Sequence, residues 1–283
     1  MIYVFIIIGV IALIMLASAL DCALNINVTE YEMPLEGIEK PARLACISDL
    51  HGWSYGRKNR KLLALVAGQK PDAIVIAGDM ITRVASERQI FRMTELIRRL
   101  TEIAPVYYAT GNHEVDYMAE NGMEWLDRVA DTGATVLYDS FTYAAVGENT
   151  VRIGGASGRY FDGSERDVAT LIMLEEIGGD GIPSVAVVHQ PENIFHQEKR
   201  NSWTADLYLS GHTHGGVWRV PGVGGVMSPA EGLFPKYDKG MFLIDGKMPM
   251  IINGGLSGYY FIPRVFNRPE ICVIRIDRIT GSD

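Results

Sequence analysis

The stretch Ala42-Arg43-Leu44-Ala45-Cys46-Ile47-Ser48-Asp49-Leu50-His51 decides the fold of this 283-residue chain. Its first six residues form a short, mostly apolar run of the kind that builds a buried strand, and Asp49 and His51 follow directly. The same arrangement recurs at 72–77, before Gly78-Asp79, and at 105–109, before Gly111-Asn112-His113-Glu114. Each run predicts a strand that ends in side chains able to bind a metal ion.

Two later runs repeat this pattern. Residues 184–188 precede His189, and residues 205–209 precede Ser210-Gly211-His212-Thr213-His214. In open α/β sheets ligands bind at the carboxyl ends of the strands, so we expect the five strands to bring these residues to one edge. The glycines at 78, 111, 211, 215 and 216 suit that edge, because backbone without a Cβ turns sharply and approaches an ion closely.

Helical patterns separate the predicted strands and set the fold class. Apolar residues recur at three and four spacings over 59–69, 86–103 and 118–132, which gives the βαβ alternation of a layered α/β domain. Residues 25–33 alternate enough to add an edge strand. We therefore expect an α/β fold in which a second sheet packs on the first. The strands after residue 135 that predict this second sheet cover 141–146, 151–155, 241–245, 248–252 and 271–276.

Five of the six histidines lie in these clusters, and only His196 has no partner at ligand spacing. Two carboxylates, one amide and several imidazoles offer hard oxygen and borderline nitrogen donors, which suit Mn, Fe or Zn. A closed structural zinc site is disfavoured because such sites take four ligands, largely cysteine. The three cysteines, at 22, 46 and 272, form no disulfide framework. The donor set predicts a two-metal hydrolase. His196 is predicted to be a surface or helix-end residue.

The ordered motifs Asp49-x-His51, Gly78-Asp79, Gly111-Asn112-His113-Glu114, His189 and Gly211-His212-x-His214 resemble the calcineurin-like metallophosphoesterase signature. The resemblance covers roughly residues 42–276 and implies a two-sheet αββα sandwich. It also implies two divalent metal ions, with Asp79 as the ligand that bridges them. The remaining ligands would be Asp49, His51 and His214 for one ion, and Asn112, His189 and His212 for the other.

The resemblance implies a reaction as well. Two ions about 3.5–4 Å apart hold a phosphoryl group and generate hydroxide from bound water near neutral pH. His113 would remain free of metal and protonate the leaving alkoxide as a general acid, and Glu114 could orient it. A non-catalytic scaffold that uses the same fold for protein binding is the alternative, although it has no reason to keep every ligand and His113. Arg264 and Asn267 are predicted to be solvated loop residues, with contact to a substrate phosphate as the alternative. Residues 253–255 are predicted to form a turn.

The amino-terminal residues 1–20 carry no charged side chain, and a helix of this length spans about 30 Å, the hydrocarbon thickness of a bilayer. We expect an uncleaved transmembrane anchor, a juxtamembrane segment at 21–41 and a catalytic domain at 42–283. A cleaved signal peptide is the alternative, since Ala17-Ser18-Ala19 has the form of a cleavage site, but no Lys or Arg precedes the apolar run. The first Lys or Arg of the chain is Lys40, so the charges near the span give little indication of which end of the helix faces the cytoplasm. Resemblance to the single-span branch of the family favours an extracytoplasmic domain.

Composition limits the partners. Lys and Arg number 26 against 34 Asp and Glu, a net charge of −8, which gives no broad footprint for nucleic acid. Duplex DNA is therefore excluded as the expected substrate. The basic stretch Arg57-Lys58-Asn59-Arg60-Lys61 is either the solvated start of a helix or a site for an anionic head group. We expect a phosphorylated small molecule or a lipid-linked substrate, contact with the membrane through the amino-terminal helix, and no protein partner.

Overall fold

Two six-stranded sheets form the centre of the fold in this computed structural model, which describes residues 1–159, 161, 167–195, 202–229, 231–259 and 262–279. His196 lies outside the described residues. The strands are β1 (Asn27–Leu35), β2 (Ala42–Ile47), β3 (Ala73–Ala77), β4 (Val106–Ala109), β5 (Thr135–Leu137), β6 (Ser140–Val146), β7 (Asn149–Gly155), β8 (Ser184–Val187), β9 (Leu207–Ser210), β10 (Arg219–Val220), β11 (Gly224–Gly225), β12 (Met227–Ser228), β13 (Gly232–Leu233), β14 (Gly240–Ile244), β15 (Met248–Ile252) and β16 (Glu270–Arg278). The helices are α1 (Ile2–Leu24), α2 (Arg60–Gly68), α3 (Glu87–Thr101), α4 (Asn112–Asn121), α5 (Glu124–Ala130), α6 (Val168–Glu176) and α7 (Glu192–Phe195), with short 3-10 turns at Arg57–Asn59 and His214–Gly216.

Both sheets have a parallel centre. The first has the strand order β1-β16-β2-β3-β4-β5, in which β2, β3, β4 and β5 run parallel and β16 runs antiparallel to β2. The second has the order β14-β15-β9-β8-β7-β6, with β15, β9, β8 and β7 parallel. The expected edge strand is present as β1, which pairs with β16. The carboxyl ends of the parallel strands therefore deliver the predicted ligands.

The core has three layers of apolar side chains, which gives the αββα sandwich that the resemblance implied. Leu44 and Val75 of the first sheet pack between the sheets with Val187 and Leu209 of the second. On the outer face of the first sheet the alternate residues of β2 and β3 pack against α2 to α5, and α6 and α7 cover the second sheet. Because both faces of β2 and β3 are buried, these strands read as continuous apolar runs.

The expected single helix at 118–132 is wrong, since two helices, α4 and α5, occupy the region. Gly122 separates them with φ +77° and ψ −179°, a backbone conformation that favours glycine and cannot continue a helix. The first helix also begins earlier, at Asn112, because the Glu114 carboxylate accepts a 2.8 Å hydrogen bond from the Gly111 N–H that precedes it. Asn112 and His113 thus lie on the first turn of a helix.

Helix α1 is long and apolar enough to cross a membrane, and its large side chains up to Leu16, apart from the half-buried Met15, are exposed. It continues to Leu24, beyond the predicted limit of residue 20. The segment 21–41 that was expected to follow the anchor therefore contains the last turn of α1 and the strand β1.

Candidate metal centre

Five parallel strands place every predicted ligand at one edge of the sandwich. The polar residues follow β2, β3 and β4 in the first sheet and β8 and β9 in the second. The side chains that this arrangement brings together are Asp49, His51, Asp79, His189, His212 and His214. Asn112 begins α4, and the backbone N–H of the next residue, His113, donates to Asp79 Oδ1.

The first group of ligand atoms comes from Asp49, His51 and His214, which offer donors within 4.8 Å of one another. Asp49 Oδ1 lies 4.0 Å from His51 Nε2 and 3.9 Å from His214 Nε2. The Nδ1 atom of His214 faces the Ser257 carbonyl oxygen at 3.4 Å, which turns Nε2 toward the carboxylate. This is the set that the resemblance assigned to one ion.

The second group contains Asp79, His189 and His212, again within 4.8 Å. His189 Nε2 lies 3.3 Å from Asp79 Oδ2, while its Nδ1 lies 2.6 Å from the Ala77 carbonyl oxygen. Asp79 Oδ2 is also 3.6 Å from His51 Nε2, so one carboxylate lies between the two groups. That is the position expected of a bridging ligand.

Three buried polar atoms of the predicted ligands have no hydrogen-bond partner in the described part of the chain: His51 Nε2, His189 Nε2 and Asn112 Oδ1. Buried polar atoms are otherwise paired in native proteins, so such a concentration needs an explanation. A divalent cation supplies one, because two imidazole nitrogens and an amide oxygen are lone-pair donors that suit it. The residues present therefore fit bound metal ions.

The electrostatics of the cluster favour cation binding. Burial lowers the pKa of His51 and of His214, which keeps both imidazoles neutral and able to ligate. Burial opposes ionisation of Asp79, but the neighbouring imidazoles, His189 foremost, outweigh it and hold the pKa of Asp79 well below its ordinary value. Burial also opposes charging of His189, whereas the Asp79 carboxylate raises the pKa of His189 to about 10. The carboxylate thus demands a positive charge, which a metal ion supplies in place of a proton.

His113 lies at the edge of the cluster. Its Nε2 is 4.0 Å from Asp79 Oδ2, and the ligand atoms of His51, Asp79 and His113 lie within 4.8 Å of one another. The backbone N–H of Arg83 donates to His113 Nδ1 at 3.3 Å, which fixes the ring with Nε2 toward Asp79. The ring can therefore meet a group that binds beside the bridging carboxylate.

Glu114 braces the backbone around the cluster. Its Oε2 accepts from the backbone N–H groups of Asp79 at 2.7 Å and Gly111 at 2.8 Å. Its Oε1 accepts from the N–H groups of Met80 and Ile81 and from the Tyr108 hydroxyl. Burial, followed by the charge of Asp79, raises the pKa of Glu114 to about 7. The orienting role predicted for this residue can act on His113 through the first turn of α4.

Five residues of the cluster have left-handed backbone, which the sequence motifs gave no means of predicting. Such φ angles are uncommon outside glycine, and aspartate and histidine are among the residues enriched there. Strained backbone of this kind clusters at functional sites. The values are +52° at Asp49, +47° at His51, +56° at Asp79, +68° at His212 and +51° at His214.

Close packing explains two of the predicted glycines. A Cβ at Gly111 would lie 2.2 Å from Asp79 Oδ1, and one at Gly211 would lie 2.6 Å from Asp49 Oδ2. Since no side chain fits at either position, these glycines let backbone touch the ligand carboxylates.

Arg264 and Asn267 are buried, so their predicted solvation is wrong. Arg264 donates to the carbonyl oxygens of Ser257 and Gly254, both at 2.6 Å, while its Nη1 has no partner among the described residues. Asn267 donates to the His214 carbonyl oxygen at 2.8 Å. The loop that carries both residues packs against the segments around Ser257 and His214. The composition of a loop does not indicate whether it will be buried in this way.

The turn predicted at 253–255 is confirmed, and one site residue was missed. Gly255 N–H donates to Asn253 Oδ1 at 2.8 Å, and Gly255 has φ +74°. The missed residue is Glu192, whose Oε1 lies 3.3 Å from His212 Nε2 and whose side chain is buried. Its position three residues after His189, in His189-Gln190-Pro191-Glu192, was the available signal.

A cavity of about 660 Å³ opens beside the cluster. His51, His113 and His214 form part of its wall, and Ala19 and Cys22 of α1 form another part. Its volume is typical of a site for a small molecule.

The sequence model of the calcineurin-like phosphoesterases matches residues 42–216, which include every residue of the cluster. The chain belongs to the calcineurin-like phosphoesterase family. It is therefore a metal-dependent phosphoric ester hydrolase, and the fold class that the resemblance implied is confirmed.

Three other proteins show how far the similarity to this chain extends. The phosphodiesterase YaeI of Escherichia coli is 25% identical over 238 residues, 83% of this chain and 82% of its own length. The protein F40B5.2 of Caenorhabditis elegans, which carries a provisional metallophosphoesterase name, is 32% identical over 179 residues, 61% of this chain. The matched region spans only 36% of F40B5.2. The crystal structure of TT1561 of Thermus thermophilus has a TM-score of 0.49 and 15% identity, and the match covers 76% of this chain and 90% of that one.

Proposed function

We propose that this protein is a membrane-anchored phosphoesterase that uses two divalent metal ions, Mn, Fe or Zn, to hydrolyse a phosphate ester or pyrophosphate bond. The observation that carries the proposal is the Asp79 carboxylate, which lies between two groups of ligand atoms with the His113 ring beside it. The phosphodiesterase name of the E. coli relative supports an ester substrate.

The residues divide between two metal positions. Asp49, His51 and His214 would hold one ion, and Asn112, His189 and His212 the other, with Asp79 shared. When bound, two such ions lower the pKa of water to yield a nucleophile and offset the negative charge of a phosphoryl group.

His113 acts as the general acid through Nε2. The Arg83 N–H bond to Nδ1 holds the ring so that Nε2 faces Asp79 and the cavity wall. Donation of a proton to the leaving oxygen stabilises the charge that develops there. Only the imidazolium form of His113 can give up a full proton from Nε2. In that form Nδ1 also carries a proton, so it no longer accepts the hydrogen bond from the Arg83 N–H that it accepts in the neutral ring.

Arg264 provides a site for the phosphate itself. Its guanidinium is buried, lines the cavity and keeps Nη1 without a partner among the described residues. Guanidinium groups bind phosphate oxygens with charge-assisted hydrogen bonds, so Nη1 can hold an oxygen of a phosphate at the cluster.

Residues 1–20 serve as the anchor, 21–41 as the segment next to the membrane and 42–283 as the catalytic domain. An apolar helix with exposed side chains supports this organisation. We place the domain outside the cytoplasm and take the substrate to be a phosphorylated small molecule or a lipid-linked phosphate.

The test uses the full chain in detergent micelles, stripped of metal and resupplied with Mn²⁺, Fe²⁺, Zn²⁺, Mg²⁺ or Ca²⁺. Hydrolysis of para-nitrophenyl phosphate and bis-para-nitrophenyl phosphate is compared for the wild type, Asp79→Ala and the control Asp131→Ala, which alters an exposed residue. We expect a transition metal to restore activity in the wild type and the control, and Asp79→Ala to lose metal and activity together. If Asp79→Ala binds two ions with wild-type affinity, Asp79 is not the shared ligand.

A further inference from the structure

Part of the wall of the cavity beside the metal cluster is formed by the amino-terminal helix. Ala19, Cys22 and Ala23 of α1 line the same space as His51, His113 and His214. A helix that only anchored the protein would have no reason to reach the catalytic residues. Its last two turns are instead part of the cavity.

Polar contacts fix this end of α1 to the catalytic domain. The Asp21 carboxylate forms an ion pair with Arg268, with Oδ1 2.8 Å from Nη2. The Phe266 N–H donates to Ser18 Oγ at 2.7 Å. On the other side of the helix end, Lys61 Nζ donates to the Leu24 carbonyl oxygen. The helix wall is therefore held in place by contacts with separate segments of the chain.

The buried and the exposed parts of the cavity lining differ in chemistry. The buried part includes His214 and the guanidinium of Arg264, whose Nη1 has no partner in the described part of the chain. The exposed part includes the apolar side chains of Trp53, Val84 and Ile262, and the alanines of α1 line the same cavity. Such a cavity offers binding to a charged phosphate in its buried part and to a hydrocarbon group in its exposed part.

The apolar part of the lining is the part that solvent reaches. There the side chains of Val84 and Trp53 are 78% and 52% exposed. The exposed apolar face of α1 continues outward from the same place. A group of exposed apolar residues of this kind marks a binding or membrane-contact site. With α1 in a bilayer, the opening would lie at the level of the lipid head groups.

We propose that α1 is one wall of the substrate site, and that the site takes a phosphoester with an alkyl or acyl chain. The phosphate lies at the metal cluster, and the chain lies between α1 and the apolar side chains around Trp53 and Ile262. This inference rests on the proposed phosphoesterase function, and it makes α1 a specificity-determining element.

Two substrates with one leaving group test the proposal. Para-nitrophenyl ethyl phosphate and para-nitrophenyl octyl phosphate carry the same charge and differ by six methylenes. The full chain is assayed in micelles at constant detergent concentration, with the metal that gives activity. Ala19→Trp fills the cavity wall, whereas Ala12→Trp makes the same change on the same face of α1, two turns and about 10 Å farther from the cavity.

The wild type should prefer the octyl ester, with kcat/KM on the order of tenfold higher, since burial of two methylenes is enough for that ratio. Ala19→Trp should reduce the octyl-to-ethyl ratio to below about threefold, and Ala12→Trp should keep it. Partition of the octyl ester into micelles affects both variants alike and so cannot produce this difference. Val84→Asp, at an exposed position of the apolar lining, should reduce the ratio as well, with the exposed Val223→Asp as its control.

A second measurement does not depend on turnover. Octyl phosphate is titrated calorimetrically into the metal-stripped chain, and the wild type should bind it more tightly than Ala19→Trp does. Equal octyl-to-ethyl ratios and equal octyl phosphate affinities in wild type, Ala19→Trp and Ala12→Trp would overturn the proposal. Absence of hydrolysis of both esters with every metal would instead refute the phosphoesterase function, and the titration would still decide whether α1 lines a binding site.

Discussion

Replacement of Glu114 by Gln should destabilise the protein and weaken its hold on metal, because this carboxylate pairs five buried donors. The amide must put its NH₂ group in place of one carboxylate oxygen. The less costly choice is Oε2, which accepts two bonds, whereas Oε1 accepts three. The N–H groups of Asp79 and Gly111 would then face another donor and remain unpaired.

The magnitude follows from these two lost bonds. A buried donor left without a partner costs about 1–3 kcal/mol, so Glu114→Gln should lower the free energy of unfolding by roughly 2–6 kcal/mol. Tyr108→Phe removes one bond to the same carboxylate and leaves the buried Trp125 indole N–H without its acceptor, so it should cost about 2–4 kcal/mol. Glu120→Gln, on the exposed face of α4, should stay within about 0.5 kcal/mol of the wild type.

Urea unfolding followed by tryptophan fluorescence measures these differences, since the indole of Trp125 donates to the Tyr108 hydroxyl beside the carboxylate. Calorimetric titration with Mn²⁺ measures the loss of metal affinity. If Glu114→Gln has wild-type stability and wild-type metal affinity but loses turnover, the bracing role is refuted and Glu114 acts on His113 in the reaction.

Four further outcomes are expected. His113→Ala should keep its metal content and lose about 10²–10⁴ in kcat for an alkyl leaving group, with a smaller loss for para-nitrophenolate; full activity on an alkyl ester would show that His113 is not the general acid. Chelation should lower the thermal midpoint, because an ion present at 100 times its Kd stabilises the fold by about 2.7 kcal/mol; an unchanged midpoint in differential scanning calorimetry would contradict metal binding by the native cluster. Neither Cys46 nor Cys272 should react with a thiol reagent before unfolding, since both are buried in strands and burial raises the pKa of Cys46 to about 12; rapid labelling of either residue in the native chain would show that these side chains are accessible. Alkaline phosphatase fused to the carboxyl terminus should be active in a bacterial host, and an inactive fusion together with a fluorescent cytoplasmic reporter at the same position would place the domain inside.

The sequence predicted the strands and the ligand cluster because each carries a local signal. The runs at β2 and β3 are apolar on both faces, and a metal-binding residue follows each strand at a fixed distance. The break at Gly122 was missed because a single glycine inside an amphipathic pattern does not reveal its φ angle. The burial of Arg264 and the contact of Ala19 with the cavity depend on segments far apart in the sequence, so no local pattern could predict them.

The left-handed backbone at five residues of the cluster also limits how this site can evolve. Asp, Asn and His tolerate such φ angles better than other residues with metal-binding side chains, and a residue such as Cys or Glu would carry a backbone cost of roughly 1–2 kcal/mol at each of Asp49, His51, Asp79, His212 and His214. The backbone conformation of these turns therefore restricts which residue types can serve as ligands, in addition to the preference of the ion. Single substitutions can exchange one hard or borderline donor for another, but a thiolate-rich site for soft metals would require the loops themselves to be rebuilt.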